Sequence, residues 1–395
     1  MKIEIIKKLA AGLAACVMLT SLTACGDGES SSSDASSSGT ADATAEAEVV
    51  TKLGFIYNGS VDEFGLAEIC NDQRIKAQQY SQIESEYIDN VNVAGFEKAV
   101  KLLVEDGCTH IVAGSPVYSN IVDSVAKNYM NISFINYGST LRTSNVYGYS
   151  EAIYQGAYVA GMAAAYNSES EKVGIVVDPS MLYPVQTVNA AALGTQLVYT
   201  TSQLVVASAR EDSEIHSAVD ALAAKGCDVI ISYTASPETV EYCGKKGIKV
   251  VGSLDYSNSE NVCDEMLMYF YSSRDSFYLS QYKSMQMKEW QPDTYMGTLS
   301  NGVICISDAL PAAKDGTQDI MNKLIPKVAS GSAYIFEGQL KDINGSIKQR
   351  DGVAMSQADI ESMSWYVSGV DSSLDSFIES KMNNSDGNSD MTIRN

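Results

Sequence analysis

From residue 51 onward the chain alternates short apolar runs with stretches whose apolar residues recur every three or four positions. The runs predict strands at Lys52–Tyr57, His110–Ala113, Ile132–Asn136, Val173–Val177, Leu204–Ala207, Val229–Tyr233, Lys249–Gly252, Met266–Phe270 and Val303–Ser307. The amphipathic stretches predict helices at Gly65–Tyr80, Asn92–Glu105, Ser119–Tyr129, Glu151–Tyr166, Pro184–Leu197, Ser213–Lys225, Pro237–Lys245, Arg274–Lys288 and Ala312–Ala329. Strand and helix in alternation, with short links, argue for right-handed βαβ units and parallel sheets.

Two segments look like versions of one another. Asn92–Ala113 reads helix, Glu-Asp-Gly-Cys, strand; Ser213–Tyr233 reads helix, Ala-Lys-Gly-Cys, strand. Gly107 and Gly226 stand where a helix C-cap glycine belongs. Each strand runs into a small turn carrying proline, Gly114-Ser-Pro116 and Thr234-Ala-Ser-Pro237. Similar α/β units about 120 residues apart suggest an α/β protein of two lobes of like topology, with parallel sheets, rather than a single large sheet. Ligands of open α/β sheets bind beyond the carboxyl ends of the strands, so two facing lobes would share one cleft.

The first 48 residues follow a different pattern. Lys2, Lys7 and Lys8 precede an apolar or small run from Leu9 to Leu22. That run has the length of a signal h-region and is short for a membrane span. It ends in Leu22-Thr-Ala-Cys25-Gly26, which resembles the lipobox of bacterial lipoproteins. The resemblance implies cleavage after residue 24, a diacylglycerol on Cys25 and anchoring at the extracytoplasmic face of the cell membrane; two acyl chains anchor stably where one does not. Residues 26–48 hold two serine runs and no aromatic residue, the composition of a disordered tether. A coil of that length reaches roughly 25–30 Å on average. No second apolar stretch is long enough to cross a bilayer.

Charge narrows the partners. The chain has 49 acidic residues against 27 basic ones, so nucleic acid and anionic lipid surfaces are not expected to attract it. A monomer is expected. Beyond Cys16 and Cys25 there are six cysteines and no C-x-x-C pair; Cys108, Cys227 and Cys305 sit on or beside strands, where a buried thiol is expected. The two histidines, His110 and His216, are far apart. There is no G-x-S-x-G, Walker loop, H-E-x-x-H or calcium loop. Ser124-Val-Ala-Lys127 matches S-x-x-K but lies mid-helix without the partner motifs. The expectation is a binding protein rather than an enzyme, with no cofactor and no metal; an exported hydrolase is the weaker alternative.

Polar and aromatic residues gather just after the strands. Asn58, Asp62 and Phe64 follow the first strand, Ser115 and Tyr118 the strand at His110, Thr234 and Ser236 the strand at Val229, and Asp255 and Tyr256 the strand at Lys249. Tyrosine is abundant, 23 against 8 phenylalanines. Such a set binds a small polar ligand by stacking and hydrogen bonding without transforming it.

Specific residues then point to a family. Leu53-Gly-Phe-Ile-Tyr-Asn-Gly-Ser-Val-Asp62-Glu with Arg74, the helix Tyr158-Val-Ala-Gly161, Lys172-Val-Gly-Ile, Asn189-Ala-Ala-Ala-Leu-Gly194, Gly331-Ser-Ala-Tyr-Ile-Phe-Glu-Gly338 and Met363-Ser-Trp365-Tyr-Val-Ser-Gly369 together resemble the basic membrane protein family, substrate-binding lipoproteins of ABC importers. The resemblance spans about residues 50–370. It implies the type I periplasmic-binding-protein architecture, two Rossmann-like lobes with parallel sheets joined by a hinge of three crossings, a purine nucleoside or nucleobase ligand, and a membrane permease as partner. It adds Asn189 to the candidate ligand residues. It also implies a lobe of 49–148 plus 256–307 and a second of 149–255 plus 308–370; the Ser/Asp/Asn-rich composition of 371–395 predicts a polar tail whose last part is disordered. The family's stacking aromatic falls at Leu66 here, with Phe64 two residues earlier. The same scaffold tuned to a sugar or an amino-acid-like solute, or acting as a surface sensor, is the alternative reading.

Overall fold

The computed structural model describes residues 51–81, 83–140, 143–257, 260, 262–375 and 391–395. The signal, lipidation and tether readings at residues 1–48 lie outside the described residues. Among the described residues no helix is long and apolar enough to cross a membrane.

The first sheet holds β1 (Lys52–Ile56), β2 (Glu84–Ile88), β3 (His110–Ala113), β4 (Ser133–Tyr137), β5 (Val146–Glu151) and, later in the chain, β11 (Thr294–Gly297), in the order β2-β1-β3-β4-β5-β11 and all parallel. Helices α1 (Leu66–Ser81), α2 (Phe96–Glu105) and α3 (Val122–Ala126) are its crossovers. The second sheet holds β6 (Lys172–Val177), β7 (Gln203–Ser208), β8 (Val229–Tyr233), β9 (Lys249–Gly252), β10 (Met266–Ser272), β12 (Ile304–Ile306) and β15 (Val370–Leu374). Only the β10–β12 pair in that sheet is antiparallel. Its helices are α4 (Tyr154–Asn167), α5 (Pro184–Gln196), α6 (Asp212–Ala224), α7 (Glu238–Lys246) and α9 (Thr317–Ala329). The helix α8 (Asp275–Gln286) returns to the first lobe and packs on α1. A small two-stranded ribbon, β13 (Leu340–Lys341) with β14 (Ile347–Gln349), and the short α10 (Gln357–Glu361) precede β15.

The α/β class and the two parallel-sheet lobes match the sequence pattern, because strands buried on both faces read as near-continuous apolar runs. Val229–Tyr233 is buried at every position. The resemblance to a family also has a packing cause. A side chain at Gly161 would put its Cβ 2.1 Å from the Ala191 carbonyl oxygen, and one at Gly194 would meet the Tyr158 oxygen at 2.1 Å. The glycines let α4 and α5 pack backbone on backbone.

The lobe boundaries differ from the sequence reading. The chain crosses between sheets at 151–172, 272–294 and 297–304, not at 148, 255 and 307. Residues 256–272 therefore belong with the second lobe, since β10 pairs with β9. Two aromatic strands of similar composition could join either sheet, and that choice is made by pairing distant in sequence. The tail also differs: Val370–Leu374 is a strand, and Arg394 exchanges backbone hydrogen bonds with Tyr87 on the free edge of β2 (2.7 and 2.8 Å). The described cysteines from Cys70 onward are unpaired; Cys70, Cys108, Cys227 and Cys243 are buried, and Cys263 and Cys305 half-buried.

Candidate functional site

The carboxyl ends of both sheets face one cleft of about 880 Å³. From the first lobe come the turn after β1 (Asn58, Ser60, Glu63, Phe64) and the turn after β3 (Gly114, Ser115); from the second come Ser180, Met181, the start of α6 and the start of α7. Leu66 and Met181 separate this cleft from a small inner chamber of about 30 Å³ lined by Ser253, Asp255 and Arg274.

The lobes meet at the turn after β1. Phe64 packs on the hydrophobic cluster of the second lobe, and its ring stacks on Tyr256 with centroids 5.7 Å apart and planes at 30°. Gly65 lies against the end of β8: a Cβ there would stand 2.8 Å from the Ala235 carbonyl oxygen. Only glycine allows that approach.

The hinge side is held by a buried ion pair. Arg274, just after β10, and Glu151, at the end of β5, are 3% and 1% exposed in their side chains. Nη2 of Arg274 donates to Glu151 Oε2 at 2.8 Å and to the Tyr137 hydroxyl at 2.6 Å, while Nε stands 2.6 Å from Oε1. Tyr149 donates to the same carboxylate at 2.6 Å. Every carboxylate oxygen thus has a donor, the condition under which a buried pair is tolerable. Burial pushes both tyrosine hydroxyls well above their ordinary pKa.

The second lobe's rim is acidic. Asp212 and Glu214 lie in the first turn of α6, and Glu238 and Glu241 in that of α7. The Glu214 carboxylate accepts from the Arg210 and Glu211 amides at 2.9 and 3.4 Å, and Asp212 accepts from Ser236 at 3.0 Å. Carboxylates suit helix N-termini because the exposed N–H groups carry positive partial charge. At α6 the Glu211 and Glu214 side chains form a capping box with the turn's amides, whereas Glu238 and Glu241 of α7 pair with Lys245. Arg210, the cation at the cleft wall, stands 3.6 Å from Asp178, whose carboxyl is raised by burial despite accepting two bonds from Ser180.

Of the expected site residues, the structure brings Asn58, Phe64, Ser115 and Ser236 to the cleft and Asp255 to the inner chamber. Tyr256 lies behind Phe64, buried. The remaining four turn elsewhere. Tyr118 is a core residue whose ring packs on Phe96 (4.7 Å) and whose hydroxyl donates to the Val91 carbonyl. Asn189 ties down the 363–367 segment: it donates to the Trp365 oxygen at 2.8 Å and accepts from the Val367 amide at 2.9 Å. Thr234 is buried and donates to the Ser236 carbonyl at 2.8 Å. Asp62 points outward to Arg394 at 3.1 Å. A residue after a strand can face the cleft or cap its own turn, and spacing does not separate the two. Sequence reasoning missed Ser180, Met181, Arg210, Glu211, Glu238, Glu241 and Arg274. The acidic first turns of two helices that follow strands were the available signal. Among the described residues no group of three His, Cys, Asp or Glu could hold a metal ion.

A bilobal α/β scaffold with its strand ends around one cleft is the architecture of solute-binding proteins. Comparison bears this out. Residues 50–249 match the family model described as ABC transporter substrate-binding protein PnrA-like, and the chain belongs to that family. It is 24% identical over 334 residues to the purine-binding protein of Brucella abortus strain 2308, covering 83% of this chain and 95% of that one. It is 23% identical over 339 residues to a candidate ABC transporter glucose-binding protein, TsgA13, of Haloferax volcanii, covering 84% and 83%. Among solved structures it is similar in fold to an ABC transporter solute-binding protein from Aeropyrum pernix K1 (TM-score 0.61, 12% identity, 74% and 93% covered). A transcriptional activator of the comK gene from Bacillus halodurans has a like fold (TM-score 0.58, 16% identity, 71% and 99% covered). The fold alone therefore does not decide between transport and regulation; the matching family is described as one of ABC transporter substrate-binding proteins.

Proposed function

We propose that this chain is the solute-binding lipoprotein of an ABC importer, anchored outside the cell membrane through Cys25, and that its ligand is an uncharged purine nucleoside or nucleobase. The carrying observation is the Phe64 ring, which lines the cleft and is backed by the buried Tyr256 of the other lobe. A purine ring stacked on the cleft-facing side of Phe64 would lie between that ring and the second lobe's wall, and so would hold the lobes together. Ligand then favours closure because it touches both lobes at once. Ser253 supports the reading: it is 4% exposed, lines the inner chamber, and its hydroxyl has no hydrogen-bond partner among the described residues. A ligand hydroxyl reaching past Leu66 and Met181 would satisfy it. The acidic rim disfavours phosphate, which selects nucleoside over nucleotide. The closed protein would be presented to the membrane permease as a monomer.

Thermal unfolding against nucleosides, nucleobases, sugars and amino acids tests this. A ligand at a hundred times its Kd adds about 2.7 kcal/mol. Stabilisation by purines and not by sugars is the expected result. The relative named for glucose supports a second reading, a sugar in the same cleft hydrogen-bonded by the rim carboxylates, and stabilisation by sugars alone would favour it. Cys25→Ser should move the protein from the membrane to the soluble fraction of cells; unchanged partition would reject the anchor.

A further inference from the structure

Residues 391–395 sit on the first lobe beside the cleft loop. The backbone of Arg394 pairs both ways with Tyr87, and Met391 and Ile393 pack on that lobe's hydrophobic cluster. This docking delivers one guanidinium to two carboxylates on different turns. Nη1 of Arg394 lies 3.1 Å from Asp62 Oδ2 and 3.5 Å from Asp89 Oδ2. Asp89 is 7% exposed in its side chain and accepts from the Val61 amide at 3.3 Å. Asp62 lies in the same turn as Ser60 and Phe64, and its amide donates to the Ser60 hydroxyl at 3.1 Å.

The turn after β1 is otherwise held by few bonds. Asn58 donates to the Val91 carbonyl at 2.9 Å, and Asn90 donates to Gly59 at 3.2 Å. Both lie at the start of the turn. Val61 and Asp62 are fastened through Asp89 and Arg394, and Phe64 beyond them packs on Tyr256. Without the arginine, two carboxylates would face one another across the turn, one of them largely removed from water.

We propose that Arg394 is a positioning residue for the ligand cleft: by pairing at once with Asp62 and Asp89 it holds the 60–64 turn in the shape that presents Ser60 and Phe64 to the cavity. This rests on the reading of that cleft as the ligand site. It also explains why Asp62, expected to touch ligand, faces away from it.

The test compares the wild type with Arg394→Ala, Arg394→Lys and Asp62→Asn. Hydrogen exchange of residues 58–66 in the ligand-free protein is the first readout, and guanosine affinity the second. For Arg394→Ala, exchange at Val61 and Asp62 should rise about fivefold or more while β6 is unchanged. Arg394→Lys should recover most of the protection, since a point charge still reaches both carboxylates. Guanosine should dissociate faster from Arg394→Ala. Exchange at 58–66 within twofold of wild type overturns the proposal. So does raised exchange with unaltered guanosine affinity. If the wild type itself binds no guanosine, the purine reading fails, and exchange alone then supports or overturns the positioning role.

Discussion

The two walls of the cleft are built from opposite materials. The first lobe contributes neutral polar and aromatic groups, Asn58, Ser60, Phe64 and Ser115, with Glu63 at the edge. The second contributes charge, with Arg210, Glu211, Asp212, Glu238 and Glu241 lining the opening. Both walls come from the same βαβ plan. The difference lies in what each places at the helix N-termini that follow its strands. In the second lobe the two helix starts carry carboxylates, which the helix dipole favours and which set negative charge where an anion would approach. One lobe thus offers a surface for a ring, and the other a filter on charge.

That contrast can be broken most severely at the joint between the lobes. Arg274→Met should cost about 3–5 kcal/mol in urea unfolding, because it leaves the Glu151 carboxylate buried and unpaired. A loss under about 1 kcal/mol would mean that the hinge pair does not hold the lobes.

A second effect belongs to the first lobe alone. Burial lowers the His110 imidazole to about 4. Unfolded histidine titrates near 6.5, so the folded value is depressed. The stability that neutral His110 allows is complete above about pH 6.5 and is lost as pH falls toward 4, by about 2 kcal/mol for a partly accessible ring. His110→Gln should flatten that part of the stability curve. An unchanged slope would place the acid sensitivity elsewhere.

The contact between the walls is probed by Gly65→Ala. The added methyl meets the Ala235 oxygen and opposes closure, which should weaken guanosine binding by about tenfold while changing unfolding little. Phe64→Ala removes the ring surface and should weaken it to a similar or slightly smaller degree. Equal affinity in either variant would take the Phe64 turn out of the binding mechanism. The smallest effect is on the filter: Glu238→Gln with Glu241→Gln should improve retention of guanosine monophosphate by about two- to threefold, more at low salt. No change would show that the rim does not sort ligands by charge.

Much of this was legible in the sequence. Strands at His110–Ala113, Val229–Tyr233 and Lys249–Gly252 coincide with their apolar runs. The strand Glu84–Ile88 was hidden because its Glu86 is a buried carboxylate, paired with Lys52 at 2.8 Å, in a run that reads as polar. The edge strand Thr294–Gly297 is too short and too exposed to show a pattern. The cleft's general position followed from topology, since strand ends must converge there. The direction of each side chain did not. Tyr118 and Asn58 both follow strands, yet both reach the same Val91 carbonyl, one from the core and one from the cleft wall. Arg394 lies 332 residues from Asp62, and no local pattern joins them.

The most direct test of the account is calorimetric titration of the protein with guanosine and, separately, with guanosine monophosphate. The nucleoside should bind, and the nucleotide at least about tenfold more weakly, because its phosphate meets an acidic rim. Equal or tighter binding of the nucleotide would contradict it.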